Sequence, residues 1–299
     1  MKRRSRVSGP GRFLARMAGV ALLASVPPAF AQPVASSTPA VRPAVPAPPP
    51  SPSREALQAA TARAAALLAS DRWNDPFAFI LSDALYRRFA VGTLSASSRR
   101  FAEFRTAHPE VAWIDVFRRL IDPEQKARPE WLDSAAGGVR GLDRLTVLAL
   151  YCDQAPPPAD YTALLEKGRA EGGYALTHAA LALIWLRENG CRVVEADFEK
   201  RVIRETAALV RADAAVSDLE LEAAAMVARL GEARLLPHRF LDEVIAAQHE
   251  DGGWAEDSGK AGPADWHPTL LALWLLLEIE QPGGTIPMVP RPAGSAPTR

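Results

Sequence analysis

Two histidines carry most of the chemical potential of this chain. His178 lies inside an otherwise apolar stretch, residues 174–186, one position after Thr177. Burial there pushes an imidazole toward its neutral form, which serves as a base or a ligand, unless the ring simply donates to a backbone carbonyl as a satisfied core residue. His267 follows Asp265-Trp266 and precedes Pro268. That position suits a helix cap, a metal ligand, or a base paired with His178 or Asp218. Asp143 and Asp218 fall at the starts of apolar helical segments, where an acid also complements the helix dipole. The candidate catalytic set is therefore His178, His267 and Asp218, and the candidate ligand-binding set is Asp143, Tyr174, Trp266 and His108.

Zinc in a catalytic site needs three protein ligands, which His178, His267 and one aspartate would supply. No short helical spacing such as His-x-x-x-His supports it, so no cofactor is called for, with zinc the metal left open. Serine hydrolase chemistry lacks both a Gly-x-Ser-x-Gly elbow and a strand to carry one.

The elements that must position these residues are helices of two kinds. Residues 197–211 place Phe198, Val202, Ile203, Leu209 and Val210 on one stripe, as an outer helix does; residues 237–248 do the same with Phe240, Leu241, Val244 and Ile245. Residues 174–186 and 269–277 are apolar on every side and belong in an inner layer, together with 142–151 and 219–230. Six such outer-then-inner pairs follow one another, with inner members centred near Ala84, Val116, Leu148, Ala182, Ala224 and Leu273. Each pair buries its apolar face only against its neighbours, the signature of a helical-hairpin repeat. The turns repeat too, as Gly137-Gly138-Val139, Gly172-Gly173-Tyr174 and Gly252-Gly253-Trp254, each leading to Leu-Ala-Leu. If the inner helices run parallel, their N-terminal ends share one mouth, where unpaired amides favour anions and where the default pocket lies.

The fullest turn carries a wider pattern: Phe240-Leu241, Gln248, Asp251-Gly252-Gly253-Trp254, then His267-Pro268-Thr269-Leu270-Leu271-Ala272-Leu273. This resembles the glutamine-tryptophan repeat of the terpenoid-cyclase and protein-prenyltransferase superfamily. The resemblance implies an all-α fold, an α/α toroid of about six hairpins with parallel inner helices inside amphipathic outer ones. It carries no catalytic residues across. The aspartate-rich acid motif of triterpene cyclases has no counterpart, since Ser217-Asp218-Leu219-Glu220 holds too few carboxylates. The prenyltransferase zinc set, an aspartate and a cysteine two apart plus a distant histidine, is not matched by Cys152-Asp153. The reactive cysteine of thioester toroids is missing as well.

At the N-terminus, six Lys or Arg precede the apolar run 17–26, and Ala29-Phe30-Ala31 offers a cleavage site, so residues 1–31 read as a signal peptide and the chain as exported, periplasmic or secreted. The run is too short for a stable membrane span. Residues 32–53 hold eight prolines and read as an extended linker, 54–281 as the helical domain, and 282–299 as a disordered tail. The whole chain is neutral, so removing the basic leader leaves −6, which argues against nucleic acid as partner. Cys152 and Cys191 enter an oxidising compartment together, for which one disulfide is the default.

Three functions fit. The first is a protein that binds a small molecule, glycan or protein partner at the mouth without turnover. The second is a cell-envelope enzyme, a glycan lyase or hydrolase or an isoprenoid-acting one, using His178 and His267. The third is an open helical solenoid that only scaffolds partners.

Overall fold

The computed structural model describes residues 52–133, 139–213, 215–257, 262–282 and 286–290; the leader 1–31 and nearly all of the linker 32–53 lie outside them. Among the described residues the chain is helical, with two isolated bridges and no strand. None of these helices is long and apolar enough to cross a membrane.

The outer helices are α1 (Arg54–Ala69), α3 (Ser97–Ala107), α4 (Pro129–Leu132), α6 (Tyr161–Glu171), α8 (Ala196–Ala207) and α10 (Phe240–Ala246). Between them run the inner elements: α2 (Pro76–Phe89), a 3-10 segment (Pro109–Leu120), α5 (Leu142–Leu150), α7 (Gly173–Asn189), α9 (Asp218–Arg229) and α11 (Trp266–Glu280). All six expected inner centres fall inside these six elements. Each inner element lies against the next in chain order, and α11 lies against α2. In α11 every residue from Pro268 to Glu278 is buried, as expected of a helix apolar on all faces.

Three details depart from the sequence reading. The second inner element is a 3-10 segment, with a break at Val111 (φ −88°, ψ 31°). Pro109 and the β-branched Val111, Ile114 and Val116 are weak helix formers, and His108 makes no side-chain cap bond to compensate. The third outer helix is reduced to the four residues of α4, and the turn that should follow, Gly137-Gly138, lies outside the described residues. The tail read as disordered is packed over 286–290, where Met288 and Val289 are fully buried against the helices.

The first and last hairpins meet through the glutamine-tryptophan pattern. Gln248 Nε2 donates to Ala60 O of α1 (2.9 Å) and to Gly252 O (2.9 Å), and Gln248 Oε1 accepts from Arg63. Gly252 sits at φ +94°, and a Cβ there would come within 2.7 Å of Arg63 O. A Cβ on Gly253 would overlap Ala264 and lie 2.8 Å from a Leu67 methyl. Both glycines are thus required by the close approach of α1, not only by the turn. Trp254 is buried, its indole N–H donating to Val244 O (2.7 Å).

Cys152 and Cys191 are bonded, tying the chain just past α5 to the chain just past α7. Asn189 reinforces the junction by donating to Ala149 O and Leu150 O, both at 3.0 Å.

The bond closes a loop of sequence separation 39, so replacing both cysteines by serine lowers unfolding free energy by up to about 4 kcal/mol on the chain-entropy model. Urea denaturation of the two proteins measures this. Gly253→Ala, which forces a methyl into Leu67 and Ala264, costs about 1–3 kcal/mol in the same assay.

Candidate functional site

The starts of α7, α9 and α11 come together and bring His178, Asp218 and His267 with them. Local sequence sets each start. Asp265 caps α11, its carboxylate accepting from His267 N (3.0 Å), so the cap is Asp265 and the His267 side chain is free for another partner. Ser217 and Glu220 cap α9 in a reciprocal capping box, which leaves Asp218 in the first turn without a capping duty. At α7 the pair Gly172-Gly173, both at positive φ, turns the chain directly from α6 into the inner helix and exposes Tyr174 at its lip.

His267 Nδ1–H donates to Asp218 Oδ1 (2.7 Å), and the Tyr174 hydroxyl donates to the other oxygen, Oδ2 (2.8 Å). One turn further along α9, Glu222 Oε1 accepts from the Thr177 hydroxyl (2.6 Å) and lies 3.3 Å from His178 Nδ1. That same Nδ1 donates to Tyr174 O at 2.8 Å, which fixes the proton on Nδ1. Asp218 and Glu222 are four residues apart, hence on one face of α9, and each is matched to one histidine and one hydroxyl. The side chains of His178 and His267 remain 20% and 25% exposed, against 10% and 5% for Asp218 and Glu222, so the imidazoles form the accessible surface and the carboxylates its floor.

These pairings reverse the protonation expected of His178. Burial works to lower it, but the Glu222 charge and hydrogen bond, with the Tyr174 carbonyl and Asp143 behind them, hold it above the ordinary histidine value. His267 is likewise opposed by burial and raised to about 9 by the Asp218 hydrogen bond and charge. Burial works to raise Glu222, yet His178, His267 and Thr177 hold it below the usual carboxylate range. The site is thus two histidine–carboxylate pairs, of which the His267–Asp218 pair carries an imidazolium at neutral pH.

Further acids ring this end. Asp75 caps α2, accepting from Phe77 N (2.9 Å) and Ala78 N (3.3 Å); burial raises it despite those bonds, and it feels both Asp265 and His267. Burial also raises Asp143, with His178 opposing. Burial and then the Asp218 charge push Tyr174 up, so its proton stays on the hydroxyl that binds Asp218. The helix starts expected to attract anions are therefore already served by the chain's own carboxylates.

Of the aromatic candidates, Trp266 stands edge-on to His267 (ring centroids 5.1 Å) and Tyr174 is 38% exposed. His108 is not brought into the cluster. It stacks on Phe104 (4.6 Å), approaches Glu110 (3.2 Å) and lines a separate cleft of about 350 Å³ with Trp73, Asn74 and Arg100. A cleft of about 740 Å³ lies between the start of α1 and the end of α11, among Arg54, Gln58, Thr93 and Glu280. Neither cleft touches the histidine pair, so the expected default pocket at the mouth is not among them.

Sequence reasoning missed Glu222 as a member of the site. Glu222 was legible in principle, as an acid four residues after Asp218 inside an Ala-rich inner helix. Asp218, Glu222 and His267 each offer a ligand atom within 4.8 Å of the others, a spacing a single divalent ion can bridge.

No family model, curated protein or solved structure matches this chain.

Titration of the His267 ring by NMR gives a pKa near 9, and Asp218→Asn moves it back toward the ordinary value. Because this pKa is raised on folding, the pair stabilises fully below about pH 6.5 and the contribution, on the order of 3 kcal/mol, is lost as pH rises through 9. Denaturation at pH 6, 8 and 10 reads that slope, and Asp218→Asn flattens it.

Proposed function

We propose that this chain is an exported protein of the terpenoid-cyclase-like α/α-toroid kind that binds a ligand at the N-terminal ends of its inner helices, without turnover. One observation carries the reading: two histidines, two acids and two hydroxyls from α7, α9 and α11 are paired across a partly open surface. The order of inner-helix contacts, with α11 returning to α2, supports the toroid. The Cys152–Cys191 bond and the basic-then-apolar N-terminus support export.

The charges narrow the ligand. Five acids, Asp75, Asp143, Asp218, Glu222 and Asp265, stand at this end against two histidines, and the oxygens of Asp75, Asp218, Glu222 and Asp265 already accept from its imidazoles, hydroxyls and helix-start amides, so an anion is disfavoured there. A neutral polyol or a cation fits instead, with Tyr174 and Trp266 available to stack on it. The enzyme alternative, a glycan lyase or hydrolase or an isoprenoid-acting enzyme using His178 and His267, is weakened because the Asp218 carboxylate holds His267 protonated at neutral pH, and Glu222 raises His178 as well.

A second reading has its own support in the spacing of Asp218, Glu222 and His267. These residues fit a divalent transition metal: one imidazole nitrogen and two carboxylates meet the three-ligand requirement, and the Tyr174 and Thr177 hydroxyls would orient the carboxylates from behind. A metal bound there would supply Lewis acidity.

A thermal-shift panel of neutral oligosaccharides and organic ammonium ions against phosphate and sulfate tests the ligand class. A neutral or cationic probe raises Tm of the wild type and not of Asp218→Asn or Glu222→Gln; a response to anions alone overturns the reading. Metal content after dialysis against zinc decides the second reading, which requires one zinc per chain in the wild type and a loss of retention in Glu222→Gln.

A further inference from the structure

The opposite end of the inner helices carries a different construction. Arg87 and Arg88 end α2, Glu188 ends α7 and Glu278 ends α11. Arg88 and Glu278 form a bidentate pair with almost no exposure (Nε–Oε1 2.9 Å, Nη2–Oε2 2.8 Å), and Trp274 Nε1–H also donates to Glu278 (3.2 Å). Arg229, at the end of α9, pairs with Glu188. Against this framework lie residues 286–290. Arg88 Nη1 donates to Ile286 O (2.5 Å), Arg87 Nη2 donates to Met288 O (3.1 Å), and Val289 N–H donates to Glu188 Oε2 (3.1 Å).

We propose that the C-terminal ends of α2, α7 and α11 form a recognition site for a short apolar peptide, and that the chain's own residues 286–290 are its resident, exchangeable occupant.

Four features of this contact are those of a ligand in a groove. First, its three backbone hydrogen bonds go to charged side chains of the helices, a pattern that reads main-chain groups independently of sequence. Second, Pro287 and Pro290 have no N–H to leave unpaired and restrict the backbone of the segment. Third, specificity resides in two neighbouring side chains: Met288 and Val289 are buried while Ile286 is 50% exposed. Fourth, the two arginines are held in place without the segment, Arg88 by Glu278 and Arg87 by Asp83 (2.8 Å) and Leu120 O, so the donors are pre-aimed. The ligand class follows: a five-residue segment with a carbonyl bound at the first and third positions, an amide at the fourth, and medium-sized apolar side chains at the third and fourth.

A tethered occupant competes at an effective concentration on the order of millimolar, so the intact chain masks the site. The test uses full-length protein and a fluorescent peptide of residues 286–290 with blocked ends. Met288→Asp with Val289→Asp expels the resident, and fluorescence anisotropy then shows the peptide binding at least 10-fold more tightly than to the wild type. Adding Arg87→Gln to that variant weakens binding again. A variant with native helical circular dichroism that fails to bind the peptide overturns the proposal. Limited thermolysis of the wild type gives an independent answer should the variant not fold. Cleavage within 286–289 under native conditions, with the helices intact, is the expected result; cleavage there only on global unfolding makes the segment a fixed part of the core and overturns the proposal equally.

Discussion

The approach of the last hairpin to the first is the contact on which most of the described structure depends. A stack of helical pairs has two ends, and each end leaves an apolar face to solvent unless something covers it. Here α1 covers it, and the fit is set by atoms rather than by general greasiness: Gly252 and Gly253 admit the α1 backbone and Leu67, and Gln248 reaches across to Ala60 O. α2 then lies beside α11, which puts Asp75 in the field of Asp265 and His267 at one end and joins Arg88 to Glu278 at the other. Both ends of the inner layer owe part of their chemistry to that closure.

The two ends differ because polar groups are used differently. At the helix starts, unpaired amides and dipoles are met by Asp75, Asp265 and the Ser217–Glu220 box, and Asp218 and Glu222 hold two histidines at a partly open surface. At the helix ends, the ion pairs are buried and aim outward at the main chain of 286–290. A buried ion pair is weak evidence for stability, since desolvation cancels much of its attraction, but it fixes direction well. Fixed direction is what recognition of backbone groups requires.

Much of this was legible in the sequence wherever a pattern repeats. Four inner segments announce themselves because a helix apolar on all sides has no alternative to burial, and Gly172-Gly173 marks the turn that feeds α7. The cysteine pair, expected to bond from the export reading of the N-terminus, is bonded. Single interactions were less legible. His178 was expected neutral because its own helix is apolar, yet its charge is decided by Glu222 on a neighbouring helix. His108 shares the residue type and the Pro-following pattern of His267 but begins a 3-10 segment facing a different cleft. Residues 286–290 are as proline-rich as the linker, and their packing was not legible because their partners are side chains far away in the chain. Residue type proposes a role, and the neighbouring helix decides it.

Native-state hydrogen exchange, resolved by helix, tests the closure most directly. Closure predicts that α1 and α11 are protected by the same opening free energy, with neither weaker than the hairpins between them. Exchange of α1 through its own low-energy opening, with α11 still protected, is the behaviour of an open stack and would contradict the account.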